Sequence, residues 1–531
     1  MPAARRAALL TPPPPSRRAA AGSNVLMNDL TPGQALQVSW PVDNLKTSDD
    51  PSLELVVEHL LGEMRSCGSV PRRGHALQNL RDHIKVILCN LLCASSTVST
   101  MYIAFRRANG AYKKDPLFRG FQFSSLNVRR VTGFLGECGY IDYARGYPGS
   151  VDYDPQLSKM RATPRLLDLL ARHNVDPLLI YRDTSHVESV VMKGIKKVPL
   201  KKDWKDGKRP KPRREIIGTL DTPAVRQMRA NLATINEVIR ASKIDLDMDL
   251  HELDELNKEL AVDKDTYKQP VDFTSKNLYR VFVDDSIRQH GRFYGGWWEG
   301  ISEEARERIL INGMPTVELD YKAIHPYILY GLEGVHPTMD DPYYLLDKGP
   351  AENEKLRKLV KRFLLIMFNA QSERGAIWAL SEAYRKAAKK AARRGEPVPR
   401  PPFPITVANM RPIIDQLRRQ HEPIAHYFFK GVGNTLMNHD SSMAEEVLLH
   451  FAGKGVACLP VHDSFIVDIR YATECWDVMR HAFAWRFGQE IPVDVIDGLD
   501  RARKILNGAR ALPEGPEWRE LARDLMGRIK E

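Results

Sequence analysis

Leu80, Ile84, Ile87, Leu88, Leu91 and Leu92 recur at helical spacing, which predicts a helix with one buried face. Ser124 and Ser125 precede a second stripe, Val131, Phe134, Leu135 and Cys138, so they predict the capped start of another helix, with Arg129 and Arg130 off its apolar face. After a turn at Gly139, Ile141–Ala144 reads as a short strand. Gly146, Pro148 and Gly149 form a tip, and a basic strand returns through Lys159, Met160 and Arg161. Leu246, Leu250, Leu253 and Leu260 lie among nine acids between Asp245 and Asp265, which predicts an amphipathic acidic helix. Val317–Asp320 alternates like a strand, and Pro326 stands where a helix opens. The run Arg357–Ala370 is helical, with Arg357, Lys361, Leu365 and Asn369 along one face. In Gly455–Val467 two apolar runs flank His462–Asp463, the pattern of a β-hairpin with its acid at the tip. Helical and strand periods both occur, so the expected class is α+β.

The 531 residues suggest several domains. We expect a basic, Pro-rich disordered tail over 1–50, a helical DNA-binding domain over 51–183, a basic linker and acidic helix over 184–267, and a catalytic domain over 268–531. The tail is Arg-rich and acid-poor like an organellar presequence, but its Pro12–Pro15 run argues against an amphipathic helix. Between Lys193 and Arg214 eleven Lys/Arg stand against two Asp, a linker suited to phosphate contact or simply a solvated charge run. The net charge of +11 favours a polyanionic partner. No run approaches the length of a membrane span, so no membrane partner is expected and the localisation expected is cytoplasmic. Six cysteines without a C-x-x-C pair form neither a disulfide framework nor a zinc site, and Cys89 and Cys93 read as core. Asp245-x-Asp247-x-Asp249 imitates a calcium loop but lacks its glycine and its final Glu.

Asp320 ends a strand just before a helix, where a rigid carboxylate and the Tyr321 carbonyl offer hard oxygens to a divalent ion. Asp463 lies between two apolar strands, where a carboxylate is costly unless a cation neutralises it. The Arg357/Lys361 face between them suits a triphosphate, with Asn369 beyond it for the nucleoside, although by itself the helix reads equally as an amphipathic surface helix.

Together and in this order, the three segments resemble motifs A, B and C of right-hand polymerases, closest to family A DNA polymerases and single-subunit phage-type RNA polymerases. Asp320–Tyr321 matches motif A, Arg357-x-x-x-Lys361 followed by Asn369–Ala370 matches the position of motif B, and Val461–Phe465 is similar to motif C. Gly291–Arg292–Phe293 and Asn438–Ser441 match weaker segments that meet the primer–template. The resemblance spans about residues 270–510 and implies a palm with small helical fingers, since Asp320 and Asp463 are only 143 positions apart. It further implies that Asp320, Asp463 and the Tyr321 carbonyl hold two Mg²⁺, with Mn²⁺ as a substitute. Arg357 and Lys361 would bind the nucleoside triphosphate, and Lys361 would neutralise the leaving group. His462 would orient the hairpin against the primer end, and Arg292 and Asn438 would contact the template–primer. The sequence departs from the pattern at Asn369 and Ala370, where Tyr-Gly is usual, and at His325, where family A DNA polymerases carry a Glu that excludes the ribose 2′-OH.

The two helices and hairpin of 51–183 resemble a winged helix-turn-helix in architecture, which implies duplex DNA contact through Arg129, Arg130, Lys159 and Arg161. A helical domain with a solvated hairpin is the alternative. Arg385, Lys386, Lys389, Lys390, Arg393 and Arg394 repeat on one helical side, as a nucleic-acid backbone or plain solvation would allow. Trp297–Trp298 suit base stacking or core packing. The expected function is a Mg²⁺-dependent DNA polymerase serving a mobile element or phage. The alternatives are an RNA polymerase or primase, and a DNA-binding initiator whose palm is inactive.

Overall fold

A computed structural model of the chain describes residues 39–67, 70, 74–97, 101–107, 123–146, 157–184, 187–195, 214–219, 221–261, 271–395 and 397–497. The first 38 residues of the tail, the hairpin tip and most of the basic linker lie outside the described residues. The fold is mixed α+β.

The strands and helices follow one another in three stretches. The first holds β1 (Ser39–Pro41), β2 (Lys46–Ser48), α1 (Pro51–Ser66), α2 (His75–Thr97), β3 (Tyr102–Phe105), α3 (Ser125–Glu137), β4 (Ile141–Ala144), β5 (Ser158–Ala162), α4 (Pro164–Arg172) and β6 (Ile180–Arg182). The second holds β7 (Val190–Lys193), β8 (Ile216–Ile217), α5 (Pro223–Ala241), β9 (Ile244–Leu246), α6 (Leu250–Ala261), β10 (Tyr279–Val283), β11 (Ser286–Tyr294), β12 (Ile309–Ile311) and β13 (Met314–Tyr321). The third holds α7 (Ile324–Leu332), α8 (Pro350–Asn369), α9 (Glu373–Arg394), α10 (Val407–Gln420), α11 (Gly433–Gly453), β14 (Cys458–Val461), β15 (Ser464–Asp468), α12 (Ala472–Phe487) and β16 (Val493–Asp497).

Two compact units interleave along this order. One takes residues 1–189, 236–278 and 295–316, and the other takes 190–235, 279–294 and 317–531. These cut points differ from the continuous boundaries at 183 and 267, because strands far apart in sequence pair within each unit.

In the first unit α1 starts where Asp50 accepts from the Ser52 N–H at 2.9 Å, with Pro51 preset for the first turn. It buries Leu53, Val56, Val57, Leu60, Leu61 and Met64 on one face, and α2 buries its own stripe together with the Cys89 and Cys93 thiols. Ser124 caps α3 as expected, accepting from the Asn127 N–H at 3.3 Å. Four strands form a sheet in the order β1-β3-β5-β4. The expected β4–β5 hairpin pairing is present, but β3 flanks the other side of β5. Lys159 therefore lies on an interior strand at 8% exposure and is not part of a basic rim. Arg161 is tied across the ladder to Asp142 at 2.5 Å and lies 4.9 Å over the Tyr102 ring.

The acidic helix begins later than its leucines suggest. Ile244–Leu246 is a fully buried strand paired antiparallel with β12, so Leu246 is not helical. Asp249 and Glu252 then form a reciprocal cap, with Asp249 Oδ1 accepting from the Glu252 N–H at 2.8 Å and Glu252 Oε2 from the Asp249 N–H at 2.9 Å. Trp297 and Trp298 are core residues at 7% and 0% exposure, so they offer no face to a base.

In the second unit β10 lies between antiparallel β11 and parallel β7, in the order β11-β10-β7-β8. A second layer centres on β13, which from Val317 onward is paired by β15 on one side and by β16 on the other. Leu319, Val467, Phe465 and Ile466 are buried there. This layer and the helix α8 carry the chemistry.

Candidate active site

Asp320 is the penultimate residue of β13, and the chain then turns through Ala323, whose φ of 52° is left-handed, into α7. Asp463 shares a two-residue turn with His462, because Val461 pairs directly with Ser464 across β14 and β15. His462 also takes a left-handed φ, 62°, and meets the Tyr294 ring edge-on at 6.1 Å between centroids. Asp320 thus precedes, and Asp463 lies within, a strained turn held by packed strands, a local cost that fixes where each carboxylate sits.

Loss of water pushes the Asp320 carboxyl well above the usual carboxylate range, and the nearby Asp463 charge adds to this. Lys361 acts in the opposite sense, while Glu318 and Asp494 reinforce the rise. Asp494 is the direct cross-strand partner of Asp320 in the β13–β16 ladder. Glu318, two residues before Asp320, is buried and accepts from the Ser464 hydroxyl at 2.5 Å. Tyr321 has its ring in the core, where its hydroxyl donates to the Met479 carbonyl at 2.7 Å.

Arg357 and Lys361 share one face of α8 and converge on Tyr343, lying 5.7 and 5.8 Å from the centre of its ring. Burial raises the Tyr343 hydroxyl pKa, and Asp341, Asp463 and Asp320 push it the same way, which links this face to the acid pair. Arg357 donates through Nε to Asp341 at 2.6 Å, whereas Lys361 is exposed. Asn369, exposed at the end of α8, donates to its own Leu365 carbonyl at 2.8 Å and packs on Gly433, where a Cβ would come within 1.9 Å of its Oδ1.

Behind the acids lies a buried ionic cluster. Arg292 grips Asp440, with Nε at 3.1 and 3.2 Å from its two oxygens, and its Nη2 also lies 3.9 Å from Asp463. Burial opposes the Arg292 charge, but the Asp440 carboxylate outweighs it and raises the guanidinium pKa. His325 Nε2 is 3.1 Å from Asp440, and its buried Nδ1 has no hydrogen-bond partner among the described residues. Arg292 is therefore a brace inside the protein and not a contact to the template–primer backbone. Asn438 is likewise spent inside the fold, donating to the Ile287 and His290 carbonyls at 3.0 and 3.2 Å. These two bonds secure the bulge at His290–Gly291, both at positive φ, that aims Arg292 at Asp440.

Of the residues expected at the site, Asp320, Asp463, Lys361, Arg357, His325 and His462 all fall in this unit. Lys389 is exposed on α9, and the Lys390 side chain lies outside the described residues. Arg129 and Arg130 are on α3 in the other unit. Arg130 is exposed, and Arg129 donates to the Arg107 carbonyl at 3.2 Å. Sequence reading missed Asp440, Tyr343, Asp341 and Asp494. Only Asp440 carried a signal, as part of the Asn438–Ser441 segment.

A cleft of 690 Å³ lined by Tyr327, His336, Trp476, Arg480 and Glu490 includes neither acid, so it is separate from this chemistry. No cluster of three or more His, Cys, Asp or Glu poised for a metal ion occurs among the described residues, and no described helix is long and apolar enough to cross a membrane. No known family model matches the chain, and no curated protein matches its sequence.

Proposed function

We propose that the chain is a template-directed, divalent-metal-dependent nucleotidyltransferase, a DNA polymerase whose palm is the layer around β13. The observation that carries this reading is the acid pair. Asp320 at a strand end and Asp463 at a hairpin tip repel each other in a partly dehydrated site, and Lys361 of α8 offsets that charge.

That donor set fits Mg²⁺. Mg²⁺ sites commonly use one or two carboxylates and complete the shell with water and substrate phosphates, so a third protein ligand is not required. Bound there, the metal would supply charge neutralisation for the transferring phosphoryl group and activation of the attacking hydroxyl. The protein residues do the rest. Lys361 draws in the triphosphate and neutralises or protonates the departing pyrophosphate through Nζ. Arg357 keeps Nε on Asp341 and offers its Nη groups to a phosphate. Asp440 fixes Arg292, and Arg292 steadies the Asp463 tip, so that the acid is held before substrate arrives. His462 orients the hairpin toward the primer end, while His325 and Asn369 meet the sugar and nucleoside. In the other unit, the helices and the β3-β5-β4 sheet support the winged-helix-like reading, with duplex DNA held by Arg129 and Arg130.

The test is extension of a labelled primer–template by wild type and Asp463→Asn, with Mg²⁺ and either dNTPs or NTPs. Extension by wild type alone supports the assignment, and the substrate used separates DNA polymerase from RNA polymerase or primase. If wild type extends nothing, on primed or unprimed DNA, the reading fails. The DNA-binding initiator with an inactive palm, which the departures at Asn369 and Ala370 favour, then stands.

A further inference from the structure

The helix α9 packs Ala376, Ile377 and Leu380 inward, yet Trp378 beside them is 67% exposed. A tryptophan offered to water on a well-packed helix forfeits the burial that usually holds this residue in place. Its neighbours on that face are unusual in the same direction. Arg374, Trp378, Arg385 and Lys389 are spaced four, seven and four residues apart, which puts them within about 60° of one another around the helix. All four are exposed, on the side opposite the buried stripe. One acid interrupts the row: Glu382, which pairs with Arg385 at 2.6 Å. Trp485 is more exposed still, at 81%, but none of its helical neighbours at three, four or seven positions is Lys or Arg. Exposure of an indole and a basic row therefore coincide at Trp378.

We infer that this face of α9 is a binding platform for single-stranded nucleic acid, with a base stacked on the Trp378 indole and phosphates running past Arg374, Arg385 and Lys389. The chemistry selects a single strand over a duplex, because an unpaired base presents a free π-face while stacked, paired bases hide theirs. Charge complementarity selects a polyanion over an apolar protein surface. From Arg374 to Lys389 the row is about 22 Å long, which spans roughly six nucleotides at the spacing of a stacked strand. The platform would hold an unpaired template or displaced strand, and in that setting it rests on the nucleotidyltransferase reading. Its binding chemistry does not depend on catalysis.

The experiment is fluorescence anisotropy of a labelled twelve-nucleotide oligo(dT) and a blunt twelve-base-pair duplex, without metal or nucleotide, on wild type, Trp378→Ala, Trp378→Phe and Lys389→Gln. Trp378→Ala should weaken oligo(dT) binding by roughly 5- to 150-fold, the range for losing one base–aromatic stack. It should leave duplex binding within about twofold, and Trp378→Phe should retain most of the affinity. Lys389→Gln should flatten the salt dependence of log Kd by about 0.7. Unchanged oligo(dT) affinity in Trp378→Ala overturns the inference. So does an equal loss on the duplex, or self-association that disappears in Trp378→Ala while oligo(dT) affinity is kept. Asp463→Asn should bind oligo(dT) like wild type, so a failure of the catalytic reading and a failure of this one are read separately.

Discussion

Removing the Asp440 carboxylate tests the ionic cluster behind the acids most directly. Its side chain is fully shielded from solvent, it accepts from Arg292 Nε, which lies 3.1 and 3.2 Å from its two oxygens, and from Arg292 Nη2, and it faces His325 Nε2 at 3.1 Å. Asp440→Ala leaves the Arg292 guanidinium, 12% exposed, without its main counter-charge. Breaking a buried pair in this way costs about 3–5 kcal/mol. With a urea slope of about 2–3 kcal/mol/M, that corresponds to a fall in midpoint of roughly 1–2.5 M. Asp440→Asn keeps an acceptor but not the charge and should fall between. The double variant Asp440→Leu with Arg292→Met removes both charges at similar volume and should recover much of the loss, a coupling that a double-mutant cycle measures. A cost below about 1 kcal/mol for Asp440→Ala, or strict additivity in the cycle, would refute the buried-brace argument.

Gly291→Ala should destabilise by about 3 kcal/mol or more, measured by the same urea titration, since φ is 97° there and a Cβ would come within 2.7 Å of the Phe282 ring. Two buried histidines should each lower stability on acidification, against the opposite contribution of the raised Asp320 carboxyl. His83 is buried and neutral, donating through Nδ1 to the Asn79 carbonyl at 2.6 Å and accepting at Nε2 from the Ser124 N–H at 2.9 Å, and burial lowers its pKa to about 4. The folded value lies below the unfolded 6.5, so its contribution is complete above pH 6.5 and is lost as pH falls through 6.5 toward 4. His421, lowered to about 4 by burial, titrates in the same window, and each histidine accounts for roughly 3 kcal/mol. His83→Gln should flatten half of that fall between pH 7 and 4, and an unchanged pH profile would exclude His83. Finally, His325→Gly should raise NTP use relative to dNTP in primer extension, and an unchanged ratio would remove His325 as the sugar gate.

The local features were legible because nearby residues determine them. The spacing of Leu80 to Leu92, the Ser124 cap, the β13-to-α7 turn and the hairpin tip at Asp463 all follow from short-range patterns. What failed depended on partners remote in sequence. Lys159 read as a DNA contact on a hairpin strand because nothing in its neighbourhood announces that β3 will pair with the other edge of that strand, and Leu246 read as helical because β12, some 60 residues later, decides otherwise. Arg292 and Asn438 looked like free polar groups awaiting DNA. Their partners Asp440 and His290 are 148 residues away from them in each case. Polar residues in particular are hard to assign, since the same side chain serves a ligand or an internal carbonyl equally well.

The interleaving of the two units has a consequence for synthesis and for dissection. A chain emerging from the ribosome cannot close the first unit until residue 316 is out, because β9 and β12 belong to it, and by then residues 190–235 and 279–294 of the other unit are already exposed and unfinished. Domains that fold vectorially escape this exposure, whereas here both halves wait on late-arriving strands, which slows folding and lengthens the aggregation-prone interval. Fragments cut at 183 or 267 should accordingly be insoluble or open, and co-expressed halves should complement only when each brings the strands that the other lacks.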